Sequence, residues 1–172
     1  MLSTLHTNNA SESVVRLLDL GMDPMNFADS LLGIVAQRLV RALCPHCAHE
    51  RPLTGDDWQA LLQEYMDGSE LSVQEARARL LAAAGVASPD EVRTRQAVGC
   101  EHCAGKGYKG RIGVYEILQN SRGLRTLIQK QARPSEIFDR AIAEGMHSLR
   151  HDALEKVVQG RMDLKQARAA YR

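Results

Sequence analysis

The stretch CPHC at residues 44–47 has one counterpart, CEHC at residues 100–103, and these are the only cysteines in the chain. Two residues between cysteines let both sulfurs face one ion from a tight turn. Two such turns supply the four thiolates that zinc favours in a closed tetrahedral shell. Pro45 stiffens the first turn. Gly105 and Gly107 follow the second, in CEHCAGKG, where positive φ can aim backbone N–H groups at sulfur. Cys44, Cys47, Cys100 and Cys103 are therefore the expected ligands of a structural Zn²⁺. Two other readings compete: four buried reduced thiols, and a dithiol redox motif, which leaves the second pair unexplained. His46 and His102 lie inside the turns, but a complete thiolate shell needs no imidazole, so both are expected exposed at the tips. His49 has no argument for a ligand role. The same completeness excludes a catalytic zinc, which needs an open position.

Composition narrows the class. The 172 residues give room for one domain or two small ones. Aromatics are scarce, so Leu, Ala and Val must fill the core, which leans the fold toward helix. A formal net charge of +1 makes no bulk electrostatic case for nucleic acid. The opening MLSTLHTNNASES has no basic start followed by an apolar core, and no apolar run approaches the ~18 residues of a membrane span. A cytosolic address follows, and with it no structural disulfide.

Punctuation places the elements. LSTL at 2–5 reads as a short strand. NASESVVRLLDLG reads as a helix, capped by Asn8, Asn9 or Ser11 and stopped near Gly21. A longer helix is expected over 25–43, with Ala28, Leu31, Leu32, Val35, Leu39 and Leu43 on one face. The insert 56–95 reads as ordered helices: a stripe of Trp58, Leu61, Leu62, Tyr65 and Met66; a capping box of Ser72 and Glu75 closed by Gly85; and another start at Ser88, Pro89 and Glu91. YKGRIGVYEIL at 108–118 alternates and reads as a strand or hairpin. Further helices follow around Leu124, Ile137, Leu154 and Ala167. The expected class is mostly α with short β.

The order of the segments STLHTN (3–8), RLLDLGMDP, LLGIVAQRLVRALCPHC, GCEHCAGKGYKGRIGVYEIL and EGMHSLRHDALEKVVQG resembles the C-terminal part of the type II secretion and type IV pilus assembly ATPases, the general secretion pathway protein E family. The insert at about 48–98 matches least well. The resemblance implies a RecA-like P-loop ATPase working as a homo-hexamer with platform proteins at the cytoplasmic face of the inner membrane, and using ATP and Mg²⁺. It makes STLHT the family's His box, which puts His6 near the nucleotide's γ-phosphate; from position alone, a histidine bonded to backbone at a strand end is the competing reading. GRIGVYE at 110–116 also matches, and Arg111 and Glu116 are expected to do nothing beyond a structural ion pair.

A P-loop ATPase needs GxxxxGK[ST], and the chain does not contain it. AGKGYKG at 104–110 lacks the Ser or Thr and sits in a cysteine turn. The chain is therefore expected to be a piece of such a motor, unable by itself to bind or hydrolyse ATP. The expected organisation is an edge of the RecA-like core over 1–43, a zinc subdomain with its helical insert over 44–107, and a strand or hairpin with a helical subdomain over 108–172. Residues 1–8 are expected to lose order or to pair with a second copy, and the apolar stripe over 25–43 favours self-association. A stand-alone structural-zinc adaptor that binds another protein is the alternative function.

Overall fold

A computed structural model describes residues 2–171. The chain is mostly helical with two small two-stranded sheets, and it divides into two compact units. The first runs through Gln37 and resumes over Tyr115–Ser148; the second takes Arg38–Val114 and the chain from Leu149 onward.

In the first unit, α1 (Ala10–Asp19) starts at Asn9, whose side chain accepts the Glu12 N–H at 2.8 Å. The buried Glu116 carboxylate accepts the Ala10 N–H at 2.7 Å, placing negative charge at the positive end of the helix. A short α2 (Pro24–Ser30) packs on α5 (Arg122–Gln129), and α6 (Pro134–Ala143) packs on both α1 and α5. Val14, Phe27, Leu118, Leu124, Ile128 and Ile137 are buried in this unit.

The helix expected over 25–43 is not there. Its first part is α2; its remainder is a strand, β1 (Gly33–Leu43), paired with β4 (Tyr108–Gln119). Leu31 already has extended backbone, φ −66 and ψ 127. The Asn120 side-chain amide donates to the carbonyls of Ala28 at 2.8 Å and Leu31 at 2.7 Å, which ends the helix and satisfies carbonyls that a helical continuation would have used. Ile34, Val35 and Val40 are β-branched and suit the pleat, and β4 supplies a ladder partner that a local reading of the sequence does not contain. The self-association expected from a helical stripe loses its helical rationale, because the residues of that stripe do not share a helix face, although Leu32, Val35 and Leu39 remain exposed. Two smaller expectations also give way. Residues 2–5 form no strand, and Leu2 is fully exposed. The start signal at Ser88 yields only one 3₁₀ turn, Pro89–Glu91, before the chain turns into β3 (Arg93–Gln96). The stretch from 108 is one long strand paired with β1 and not a hairpin on itself.

In the second unit, α7 (Leu149–Val158) is central. It packs against α3 (Gly55–Met66), α4 (Val73–Ala84), α8 (Leu164–Tyr171) and β3. Trp58, Leu61, Leu62 and Tyr65 from α3, Ala76 and Leu80 from α4, Leu154 and Val157 from α7, and Ala167 from α8 make its core, with Val40 and Val114 from the two long strands. Two of the insert's expected punctuation marks are present: Ser72 and Glu75 form a reciprocal capping box, and Gly85 ends α4 at φ 70.

The chain then closes on itself. β2 (His49–Pro52) pairs antiparallel with β3 in the register His49↔Gln96, Glu50↔Arg95, Arg51↔Thr94 and Pro52↔Arg93. This ribbon joins the two ends of the helical insert. On the other side of the cysteine turns, β1 ends at Leu43 and β4 begins at Tyr108, and the Cys44 N–H donates to the Gly107 carbonyl at 2.9 Å. Each cysteine pair is thus flanked by paired strands on both sides, which is how cysteines so distant in sequence become neighbours.

Candidate metal centre

The four ligands expected from the sequence come together. The sulfurs of Cys44, Cys47, Cys100 and Cys103 all lie within 4.8 Å of one another. Cys44–Cys100 is 3.9 Å, Cys47–Cys103 is 3.8 Å and Cys100–Cys103 is 3.8 Å. These are the edges of a tetrahedral thiolate shell: at a metal–sulfur distance of about 2.3 Å, sulfurs stand about 3.8 Å apart. None of the four is in a disulfide, whose sulfurs would be bonded at about 2.0 Å. The donor set and its dimensions therefore fit a metal ion held by thiolates alone.

Backbone N–H groups converge on the sulfurs. Gly99 donates to Cys47 Sγ at 3.3 Å, Cys100 to Cys103 Sγ at 3.2 Å, and Gly107 to Cys103 Sγ at 3.1 Å. Such donors disperse thiolate charge and fix the ligands' orientation. Gly107 was expected in this role. Gly105 was too, but its N–H goes to the Cys100 carbonyl at 2.9 Å. Gly99 was not expected; its signal was a glycine directly before the second pair. Both donor glycines are sterically required. Gly99 sits at φ +114 and a Cβ there would stand 2.5 Å from the Gly105 carbonyl oxygen; Gly107 sits at φ +75 and a Cβ would stand 2.6 Å from that of Ala97.

The environment separates the thiols. Burial opposes ionisation of Cys103, but the N–H groups of Cys100 and Gly107, together with hydrogen bonds from the Cys100 and Cys47 thiols, outweigh it and bring its pKa down to about 6. Burial instead pushes Cys47 up to about 11, against the pull of the Gly99 N–H. A metal ion at the centre of the shell would favour the thiolate form of all four.

The histidines behave as a closed shell requires. His46 and His102 are exposed and stack on each other with ring centroids 4.1 Å apart, so the turn tips meet through their rings and not through the metal shell. His49 lies exposed on β2. His6 is exposed in the irregular segment before α1 and belongs to the first unit, whereas the cysteines belong to the second. No helix among the described residues is long and apolar enough to cross a membrane.

Comparison with known proteins gives one consistent result. The family model described as "Type II/IV secretion system protein" matches residues 1–169. A type IV pilus assembly ATPase, TfpB, from Acinetobacter baylyi is 37% identical over 166 residues, covering 96% of this chain and 25% of that protein. The type IV pilus assembly ATPase PilB of Pseudomonas aeruginosa is 36% identical over 166 residues, with the same coverage of each. Type II secretion system protein E of Aeromonas hydrophila is 34% identical over 166 residues, covering 96% of this chain and 28% of that protein. The chain spans about a quarter of the length of these curated relatives.

Proposed function

The chain belongs to the Type II/IV secretion system protein family, and from that premise we propose that it works as part of an ATP-driven motor for pilus assembly or protein secretion. The observation that carries this reading is similarity along 96% of the chain to proteins named as pilus-assembly ATPases. The motor is a homo-hexamer at the cytoplasmic face of the inner membrane, acting on platform proteins there. The division of labour follows from chemistry. Phosphoryl transfer needs a phosphate cradle, a cation and Mg²⁺ together, and these 172 residues contain no GxxxxGK[ST]. No step of hydrolysis is assigned to them. His6 is the residue proposed to meet the nucleotide: an exposed imidazole can donate a hydrogen bond to a γ-phosphate and so report its presence. Cys44, Cys47, Cys100 and Cys103 hold a structural Zn²⁺, which supplies cross-linking and no catalysis because the shell leaves no open position.

The test uses a complete motor carrying this segment. Wild type hydrolyses ATP; His6→Ala lowers turnover by about tenfold or more, on the scale of losing one charge-assisted contact to the reacting group, and leaves metal content unchanged. A complete protein without ATPase activity overturns the motor reading. Wild-type turnover in His6→Ala returns that residue to a structural role.

A further inference from the structure

Beside the cysteine turns, the second unit carries a concavity of about 330 Å³ lined by Arg41, Lys106, Tyr108, Gly110 and Arg111. Arg41 comes from β1, Arg111 from β4, and Lys106 from the loop after Cys103. The strand pairing and the cysteine turn that build the metal centre therefore also bring three cations to one hollow. Arg41, Lys106 and Arg111 are exposed, and among the described residues none of their side chains is in a hydrogen bond or ion pair.

This arrangement is electrostatically unfavourable by itself. The chain as a whole is nearly neutral, 22 basic against 21 acidic residues, and five of its other cations sit in ion pairs: Arg51 with Asp57, Arg140 with Glu144, Arg150 with Asp67, Lys156 with Asp152 and Arg168 with Glu64. Three cations in one hollow without an acidic lining residue repel one another and leave their donors to water. The carboxylate bonded to Tyr108 is already engaged: Asp163 accepts the tyrosine hydroxyl at 2.6 Å and the Gln166 N–H at 2.9 Å. Gly110 leaves the hollow open, since nothing lies within 4 Å of where its Cβ would stand.

We propose that this hollow is an anion site that takes a phosphate group, with Arg41 and Arg111 as the main donors and Lys106 as the supporting charge. Phosphate fits better than a carboxylate. It carries up to two negative charges and three acceptor oxygens, against one charge and two oxygens, and guanidinium forks match it bidentately. The lining is three cations, one glycine and a tyrosine whose hydroxyl is already bonded to Asp163, so charge dominates what it can recognise. Its affinity is for phosphate without regard to what the phosphate is attached to. The inference does not depend on the motor reading, and it departs from the expectation that the chain binds no ATP: the triphosphate should enter this hollow, and ATP should bind here no better than inorganic triphosphate.

Calorimetry on the metal-loaded chain tests it, with inorganic pyrophosphate as the probe. Saturable binding with a Kd of about 1 mM or tighter is expected. Arg41→Gln and Arg111→Gln should each weaken it by about tenfold, with unchanged metal content and thermal transition. Flotation with vesicles of phosphatidylcholine, with and without phosphatidylglycerol, separates the sources. Capture only by the anionic vesicles, lost in Arg41→Gln/Arg111→Gln, assigns the phosphate to a lipid headgroup; binding of pyrophosphate alone assigns it to a soluble phosphate. No binding to either probe overturns the proposal. So does binding that both single variants retain, and so does succinate binding as tightly as pyrophosphate, which would make the partner a carboxylate.

Discussion

Ala104 directly follows the buried Cys103 and sits at φ 50 and ψ 47, in the left-handed region where a Cβ crowds the backbone. Its N–H closes the turn onto the Glu101 carbonyl at 3.0 Å, so the conformation is imposed by the turn that presents Cys103. Removing the Cβ should relieve strain on the order of 1 kcal/mol. Ala104→Gly is expected to raise the urea midpoint by an amount of that size without changing metal stoichiometry; a lower midpoint would show that the strain is absent. At this scale the sequence is a good guide to chemistry and a poor one to backbone angle. The ligands were legible because CxxC twice over is itself the chemical requirement. Ala104 carries no mark that its turn will demand positive φ, and the glycines at 105 and 107 drew attention one and three residues too late. Gly99 escaped notice for the opposite reason, since it precedes the motif that makes it necessary.

Elements whose stabilisation is local could be read from the sequence; β4 and α8 were legible too although their partners are distant, and β1 was not. The capping box of α4 and the apolar face of α3 are written within a dozen residues. The run from 31 to 43 fits both a helical and an alternating pattern, and what decides is β4, some 75 residues later, together with Asn120 at its end. The C-terminal α8 is also held from afar. Arg168 donates to Glu64 on α3 at 2.9 and 2.8 Å, and Tyr171 adds a third bond to the same carboxylate at 2.8 Å. The Arg168 hydrogen bonds, helped by the Tyr171 hydroxyl, hold Glu64 below the usual carboxylate pKa against its partial burial. A depressed folded-state pKa means that the unfolded chain takes up the proton first. The stabilisation is therefore complete above the ordinary glutamate value near 4.5 and is lost as pH falls through the folded value below it. Glu64→Gln should flatten the acid limb of stability against pH and change the neutral plateau less. An acid limb of unchanged slope would mean that other carboxylates dominate it.

For the whole molecule the question is what the metal ion supports. In small zinc modules the ion supplies about 10–16 kcal/mol of apparent binding energy and nearly all of the folding energy. Here the second unit has a helical core of its own: Leu61, Leu80, Leu154 and Tyr65 are each at most 1% exposed. Each such apolar side chain contributes about 1.5–3 kcal/mol on burial, so the core has enough to survive loss of the ion. The β2–β3 ribbon, moreover, joins the ends of the insert through its own ladder. The pair of turns between the two ladders has only a few backbone bonds and the His46–His102 stack of its own, and there the N–H groups of Gly99, Cys100 and Gly107 terminate on sulfur. Without the ion, four sulfurs share that space with nothing to neutralise a thiolate, while Cys103 is drawn down to about 6 and Cys47 pushed up to about 11. The expected consequence is local opening. Elemental analysis should give one zinc per chain, and Cys100→Ser should lose it. After chelation, amide hydrogen exchange should accelerate at Cys44, Gly99, Cys100 and Gly107, while the amides of α3 and α7 keep most of their protection. Simultaneous loss of protection in those helices would mean that the ion holds the whole unit. Unchanged exchange at the turns, or no metal in protein purified without a chelator, would mean that the thiols are merely buried neighbours.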